Sequence, residues 1–142
     1  MHFSEYKRVA ATAVISGDMI LLGKRITAYD GEPVPFGGYW SIFGGEIEKG
    51  EAPFAAAMRE LFEETQIKAP HPPTFISTFY DEENEVEFTV YALEIPTMVT
   101  PILNNEHTEC GWFKLDSLPT FLEKIDPKIV ACMQTYEEKR LK

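Results

Sequence analysis

Residues 44–67 read GGEIEKGEAPFAAAMRELFEETQI, and this segment carries most of the structural and chemical information in the chain. Pro53 suits the first turn of a helix, where its missing N–H costs nothing. The residues after it are rich in Ala, Glu, Leu and Met, which favour helix. The composition therefore predicts a helix over 53–65, preceded by a glycine pair, Gly44 and Gly45, at which the backbone can approach a ligand closely.

The predicted helix has one strongly acidic face. With about 100° per residue, Glu60, Glu63 and Glu64 fall within an arc of about 100°. The opposite side carries the apolar residues that we expect to face the core: Phe54, Met58 and Leu61. Like charges at this spacing repel, and Arg59 alone cannot neutralise the cluster. A solvated acidic surface is one interpretation, and a site for Mg²⁺, which binds carboxylates and substrate phosphates, is the other.

The spacing of this segment resembles the Nudix box, G-x5-E-x7-R-E-U-x-E-E-x-G-U, in which U is a bulky aliphatic residue. Eight of the nine specified positions match over the 23 residues from Gly45 to Ile67. Gln66 stands where the family has glycine. A non-glycine residue in the left-handed conformation expected there costs about 1 kcal/mol, which affects the local turn and removes no ligand side chain.

The resemblance implies an α+β fold, an α/β/α sandwich with a mixed β-sheet. It also implies a hydrolase that uses Mg²⁺, or Mn²⁺, to cleave a pyrophosphate bond in a nucleoside diphosphate linked to another group. The residues implied as metal ligands are Gly44, through its carbonyl, Glu60, Glu63 and Glu64. Arg59 is expected to pair with Glu51 and join the helix to the preceding loop. Glu106 is the candidate for an additional acid, and Glu109 competes with it.

The remainder of the chain predicts one domain over residues 1–142, with the order β-β-β-α-β-β-β-α. We expect an irregular loop over 26–39, and loops of this length in compact domains usually have a function. The predicted strands and second helix cover 9–16, Met19–Arg25, 40–43, 74–80, 86–95, 110–115 and, for the helix, 127–141.

Candidate substrate contacts lie before the box. Arg25, at the end of a strand, could meet a phosphate, although a strand-end Arg is more often solvated. Phe36 and Tyr39 could stack on a base or pack in the core. Packing roles are predicted for the other aromatic residues of interest: Trp40, His107 and Trp112. We expect the 26–39 segment to control which substrate is preferred.

The net charge of −10 argues against binding to nucleic acid or to anionic membranes, and favours small metal-chelated phosphates. The chain shows no secretion signal and no apolar run long enough for a membrane span, which predicts a cytoplasmic protein with Cys110 and Cys132 reduced. The substrate class stays open between a nucleoside triphosphate and a nucleotide sugar, with ADP-ribose or a dinucleoside polyphosphate as further choices. A catalytically silent nucleotide sensor is the alternative function. Many Nudix proteins are dimers, so the resemblance allows a homodimer.

Overall fold

The computed structural model describes residues 5–34, 36–118 and 124–140. Nine strands and two helices follow in this order: β1 Lys7–Ser16, β2 Met19–Arg25, β3 Ala28–Tyr29, β4 Glu32–Pro33, β5 Trp40–Ser41, β6 Phe43–Glu46, α1 Pro53–Thr65, β7 Thr74–Asp81, β8 Val86–Glu94, β9 His107–Lys114 and α2 Pro127–Arg140. A short 3₁₀ turn, Leu115–Ser117, follows β9. Position 141, predicted as helical, lies outside the described residues.

The sheet is mixed and has seven strands, with β1 near its centre. β1 runs antiparallel to β2 and β6 and parallel to β8, while β7 and β5 occupy the two ends of the main strand order. In the parallel pair of β1 and β8, the register runs from Lys7 opposite Val86 to Ile15 opposite Glu94. Because both faces of β1 are covered, its residues 10–16 are all buried, rather than alternately buried and exposed.

The two helices pack on opposite faces of this sheet. Ala11, Ala13 and Ile15 of β1 pack with residues of α2, including Ile129 and Met133. The intervening residues face α1: Val14 packs in the cluster that holds Leu61, Ala10 packs against Ala56 and Ala57, and the Thr12 hydroxyl donates to the Ala57 carbonyl. This is the α/β/α sandwich expected from the sequence.

Helix α1 has the predicted bounds, but the prediction that Phe54 faces the core is wrong. Its side chain is 54% exposed, whereas Ala56, Ala57 and Leu61 are fully buried. The two small alanines form the contact with the sheet at Ala10, and Phe54 lies beyond that contact. The helix ends at Gln66, which adopts the left-handed conformation with φ 62° and donates its N–H to the carbonyl of Phe62.

Three other segments differ from the sequence prediction. The single strand predicted over 40–43 is two strands, because β5 pairs with β2 whereas β6, which contains the glycine pair, pairs with β1. The stretch 26–39 is not wholly irregular, because β3 and β4 pair within it as a small antiparallel hairpin. The last strand begins at His107, three residues before the predicted start, because it pairs with β2 as far as Arg25. Within the described residues, no helix is both long and apolar enough to cross a membrane.

Candidate active site

Three carboxylates from two separate parts of the chain meet at one end of the sheet. Glu60 and Glu64 are one turn apart on α1, and Glu106 directly precedes β9. One carboxylate oxygen from each lies within 4.8 Å of the others. We call these three residues the carboxylate cluster. The segment before β9 is held against the end of α1 by backbone bonds from Ile102 to Thr65, at 3.0 Å, and from Asn104 to Glu64, at 3.3 Å.

Glu64 is the most deeply buried member of the cluster. It is 1% exposed, and its Oε1 atom has no hydrogen-bond partner among the described residues. Burial raises the pKa of this carboxyl group to about 9, with further contributions from the negative charges of Glu106 and Glu60. A buried carboxylate with an unsatisfied oxygen is costly unless a cation accompanies it.

Glu60 lies against the glycine pair. A side-chain carbon placed on Gly45 would overlap the Glu60 carboxylate, so the carboxylate could not keep this position beside any other residue. Arg59 Nη1 donates to Glu60 Oε1 at 2.7 Å. Partial burial nevertheless raises the pKa of Glu60, because desolvation outweighs the stabilisation by Arg59.

Arg59 joins α1 to the loop that precedes it, as the resemblance implied. Its Nε and Nη2 atoms donate to the two carboxylate oxygens of Glu51 at 2.8 and 3.0 Å. Nη2 also donates to the carbonyl of Glu46 at 3.1 Å. The hydrogen bonds from Arg59 lower the pKa of Glu51 to about 2, so Glu51 is ionised throughout the physiological range.

The structure does not bring one of the expected side-chain ligands, Glu63, into the carboxylate cluster. The Glu63 side chain is half exposed and accepts from Arg59 Nη1 at 3.2 Å. Gly44 lies in β6 opposite Ala11, where a side chain would collide with the backbone of β1. Their assignment as ligands rests on the resemblance.

The geometry favours Glu106 over Glu109 as the additional acid. Asn104 Nδ2 donates to Glu106 Oε2 at 3.2 Å, and Glu106 donates its own N–H to Asn104 Oδ1 at 3.0 Å. Glu109 instead pairs with Lys24 at 3.6 Å and is 60% exposed. Sequence reasoning missed Asn104, because nothing in the local pattern indicates that this residue orients a glutamate two positions later.

Arg25 lies beside the carboxylate cluster. Its positive charge lowers the pKa of His107 and acts in the same direction on Glu64. Among the described residues it forms no ion pair with a carboxylate, so its guanidinium remains available to a ligand. Arg25 donates its backbone N–H to the carbonyl of Tyr39 at 2.9 Å, and the Tyr39 ring contacts that of Phe36 edge-on.

The neighbouring aromatic residues have the packing roles that were predicted. Trp40 packs against the core on the α2 side, and Trp112 packs on the α1 side while donating to the Val99 carbonyl at 3.0 Å. His107 lies against Phe43, with ring centroids 4.8 Å apart. Burial, followed by the charge of Arg25, lowers the pKa of His107 to about 4, so this ring is neutral near pH 7. Cys110 and Cys132 are free thiols.

The carboxylate cluster fits a hard divalent cation. Its donors are all carboxylate oxygens, one of which is buried and unsatisfied, and such cations prefer oxygen ligands. A cation would also offset the mutual repulsion of the three side chains.

Residues 6–132 match the NUDIX domain family. The chain therefore belongs to the Nudix domain family.

The chain is also similar to a solved structure and to two curated proteins. The crystal structure of a MutT protein from Methanosarcina mazei Go1 has a TM-score of 0.78 with this chain at 18% identity, covers 96% of both chains and shows the shared fold. An octanoyltransferase of Myxococcus xanthus is 32% identical over 94 residues, which cover 63% of this chain and 26% of the relative. A nucleoside triphosphate pyrophosphatase/Nudix hydrolase fusion protein of Bifidobacterium longum is 29% identical over 102 residues, which cover 70% of this chain and 20% of the relative. The matched region thus spans only 26% and 20% of the length of these two curated relatives.

Proposed function

We propose that this protein is a Nudix-type hydrolase that cleaves the pyrophosphate bond of a nucleoside diphosphate linked to another group, and that it requires Mg²⁺. The observation that carries the proposal is the carboxylate cluster, in which oxygens of Glu60, Glu64 and Glu106 lie within 4.8 Å of one another and the buried Glu64 has an unsatisfied oxygen. An acidic helix face kept only for solubility would be exposed, whereas Glu64 is 1% exposed.

The proposed ligands are the three members of the carboxylate cluster. Glu63 and the Gly44 carbonyl are further candidates from the family pattern. A divalent cation held there neutralises negative charge that develops on phosphoryl oxygens during displacement. Mn²⁺ could serve in place of Mg²⁺, because both are bound by carboxylates.

The chain's own residues bind and orient the reacting groups. Arg59 holds Glu51 and Glu60 in fixed positions through hydrogen bonds of 2.7–3.0 Å. Asn104 orients Glu106 in the same way. The unpaired guanidinium of Arg25 is the proposed ligand for a substrate phosphate, since its fork of donors matches phosphate oxygens. Tyr39 and Phe36 are the proposed contacts for the nucleoside.

The remaining expectations follow from charge and family. With a net charge of −10, we propose small nucleotides as substrates, rather than nucleic acid or a membrane surface. We also propose the cytoplasm as the compartment and a homodimer as the assembly.

A substrate screen tests the proposed function. The purified chain is incubated with MgCl₂ and nucleoside triphosphates, nucleotide sugars, ADP-ribose and dinucleoside polyphosphates, and released phosphate is measured after phosphatase coupling. We expect turnover of at least one class, which Glu64→Gln abolishes and EDTA stops. Glu109→Gln, which removes an exposed carboxylate paired with Lys24, is the matched control and should retain turnover. A wild-type chain that binds these nucleotides yet hydrolyses none would support the sensor alternative.

A further inference from the structure

The outermost strand, β7, has an open edge without charge. It pairs only with β8, so among the described residues no strand covers its other edge. Residues 74–80 read TFISTFY, with no charged side chain, in a chain whose net charge is −10. Phe75 and Tyr80 are 56% and 38% exposed. Exposed edges usually carry charges that prevent pairing with another chain, and this edge lacks them.

An apolar groove runs beside this edge on the α2 face of the sheet. It has a volume of about 340 Å³, and it is lined by Ile76 and Phe79 of β7 and by Ala131 and Thr135 of α2. Ile76 and Phe79 are only partly buried against the core on this face. A strand added at the β7 edge places its own side chains along this groove, so a fitting strand is apolar on the same face.

The backbone of β7 is open to pairing around Thr78. Lys128 Nζ donates to the Tyr80 carbonyl at 3.3 Å, so that carbonyl points away from β8. Residues two apart in a strand direct their backbone groups to the same side, so the N–H and carbonyl of Thr78 also point away from β8. The register shift between Phe75 and Ser77 interrupts the ladder towards the start of the strand. Regular pairing at this edge is therefore centred on Thr78.

This edge is complementary to itself. When two identical strands pair antiparallel about a two-fold axis at Thr78, Ser77 of each copy lies opposite Phe79 of the other. A small side chain then faces a large one on the groove side. The net charge of −10 makes two copies repel in general, whereas residues 74–80 bring no charge into the contact.

Helix α2 runs antiparallel to β7 along the groove. Lys128, near the start of the helix, contacts Tyr80, and Arg140, at its end, pairs at 3.1 Å with Glu94, which lies beyond the start of β7. One stripe of the helix follows the groove and continues one turn past it. This stripe consists of Lys128, Ala131, Thr135 and Glu138.

The two ends of this stripe carry opposite charges at matching distances from Thr78. At about 3.3 Å per strand residue, Lys128 lies about 7 Å to one side of an axis at Thr78. At about 1.5 Å per helix residue, Glu138 lies about 8 Å to the other side. The two-fold axis therefore brings Lys128 of each copy level with Glu138 of the other. Glu138 is exposed and forms no ion pair among the described residues, so its charge is available.

We propose that the β7 edge and the groove beside it form the interface between two copies of this chain, which pair antiparallel about Thr78 into one continuous sheet. The two-fold axis uses the same edge of both copies, so assembly stops at a dimer. This identifies the surface of the proposed homodimer. It does not rest on the hydrolase function, because β7 and the Arg25 strand, β2, are separated in the sheet by β1 and β8.

The oligomeric state and the exchange of backbone amides test the proposal on the wild-type chain. Size-exclusion chromatography with light scattering gives the dimer fraction over a range of protein concentrations, and hydrogen exchange is followed at a low and a high concentration. We expect the dimer fraction to rise with concentration. The Thr78 amide should exchange more slowly at the higher concentration, because pairing removes an edge N–H from water.

Two variants and a matched control locate the interface. Thr78→Lys places like charges from both copies at the axis and should weaken dimerisation at least about tenfold. Glu138→Lys places a positive charge level with Lys128 of the other copy and should weaken it by about two- to fivefold, less at high salt. Thr100→Lys makes the same substitution at an exposed position outside β7 and α2 and should dimerise as wild type does. Circular dichroism checks that each variant is folded.

Three results overturn the proposal. The wild type could stay monomeric at every concentration, or form a dimer in which the Thr78 amide exchanges as fast as in the dilute protein. A folded Thr78→Lys that dimerises as tightly as Thr100→Lys also places the interface elsewhere. None of these measurements uses turnover, so a failure of the proposed hydrolase function is read separately, from the absence of hydrolysis across the substrate panel.

Discussion

Replacing Glu64 with Gln should make the cation-free protein more stable while abolishing its turnover. The pKa of Glu64 is raised from 4.5 to about 9 in the folded chain. Above about pH 4.5 the unfolded chain has therefore lost a proton that the folded chain retains, so stability decreases as the pH rises from about 4.5 towards 9. Gln has nearly the same shape and carries no charge, which removes this cost.

The size of the effect depends on pH. At 1.36 kcal/mol per pH unit, the proton linkage of Glu64 costs about 1.4 kcal/mol at about pH 5.5 and about 4 kcal/mol at about pH 7.5. The buried Gln amide would have an unsatisfied polar group, which destabilises the variant by about 1–2 kcal/mol and offsets part of this gain. Glu64→Gln should therefore be close to neutral at the lower pH and stabilising by about 2–3 kcal/mol at the higher, which corresponds to roughly 5–10 °C in Tm.

Thermal unfolding in EDTA at the two pH values, followed by circular dichroism, measures this difference. Glu109→Gln is the control, and because its carboxylate is exposed we expect a change within about 0.5 kcal/mol at both pH values. Adding MgCl₂ should stabilise wild type more than Glu64→Gln, since ligation favours the folded state that binds the cation better. A Tm for Glu64→Gln that is at or below that of wild type at both pH values would refute the reasoning.

Three further substitutions probe the site and its supports. Gln66→Gly should stabilise the fold by about 0.5–1 kcal/mol in urea unfolding, because φ is 62° at this position, and should leave turnover unchanged. Gly45→Ala should reduce turnover at least tenfold in the phosphate-release assay, because the added carbon meets the Glu60 carboxylate. Asn104→Ala should weaken Mg²⁺ affinity in calorimetry by about 10–100-fold, since it removes both hydrogen bonds that the Asn104 side chain makes with Glu106.

Each of these has a result that contradicts it. Equal stability of Gln66→Gly and wild type would mean that the left-handed turn costs nothing here. A fully active Gly45→Ala would show that Glu60 can move without loss, and calorimetric Mg²⁺ binding unaltered in Asn104→Ala would place Glu106 outside the cation site.

The helix and its local contacts follow from sequence alone. The bounds of α1, the left-handed turn at Gln66 and the pairing of Arg59 with Glu51 were all predicted, and the structure has each of them. These features are set by near neighbours, because helical periodicity fixes which side chains share a face, and a positive charge beside a carboxylate within reach forms a pair.

Burial and long-range contacts could not be obtained in this way. Periodicity placed Glu64 on a charged face and Phe54 on an apolar one, yet the first is buried and the second exposed. The reason is that the segment before β9 packs over the end of α1 and covers Glu64. The helix meets the sheet through small alanines, which leaves Phe54 outside that contact.

The sequence by itself determined the fold family and most of the acidic side chains at the candidate site, because the Nudix box is a continuous segment whose geometry is local. The tertiary structure alone decided that Glu106, oriented by Asn104, completes the cluster, and that Arg25 lies beside it. Those positions depend on strand pairing and loop packing between distant parts of the chain, for which a single sequence carries no local signal.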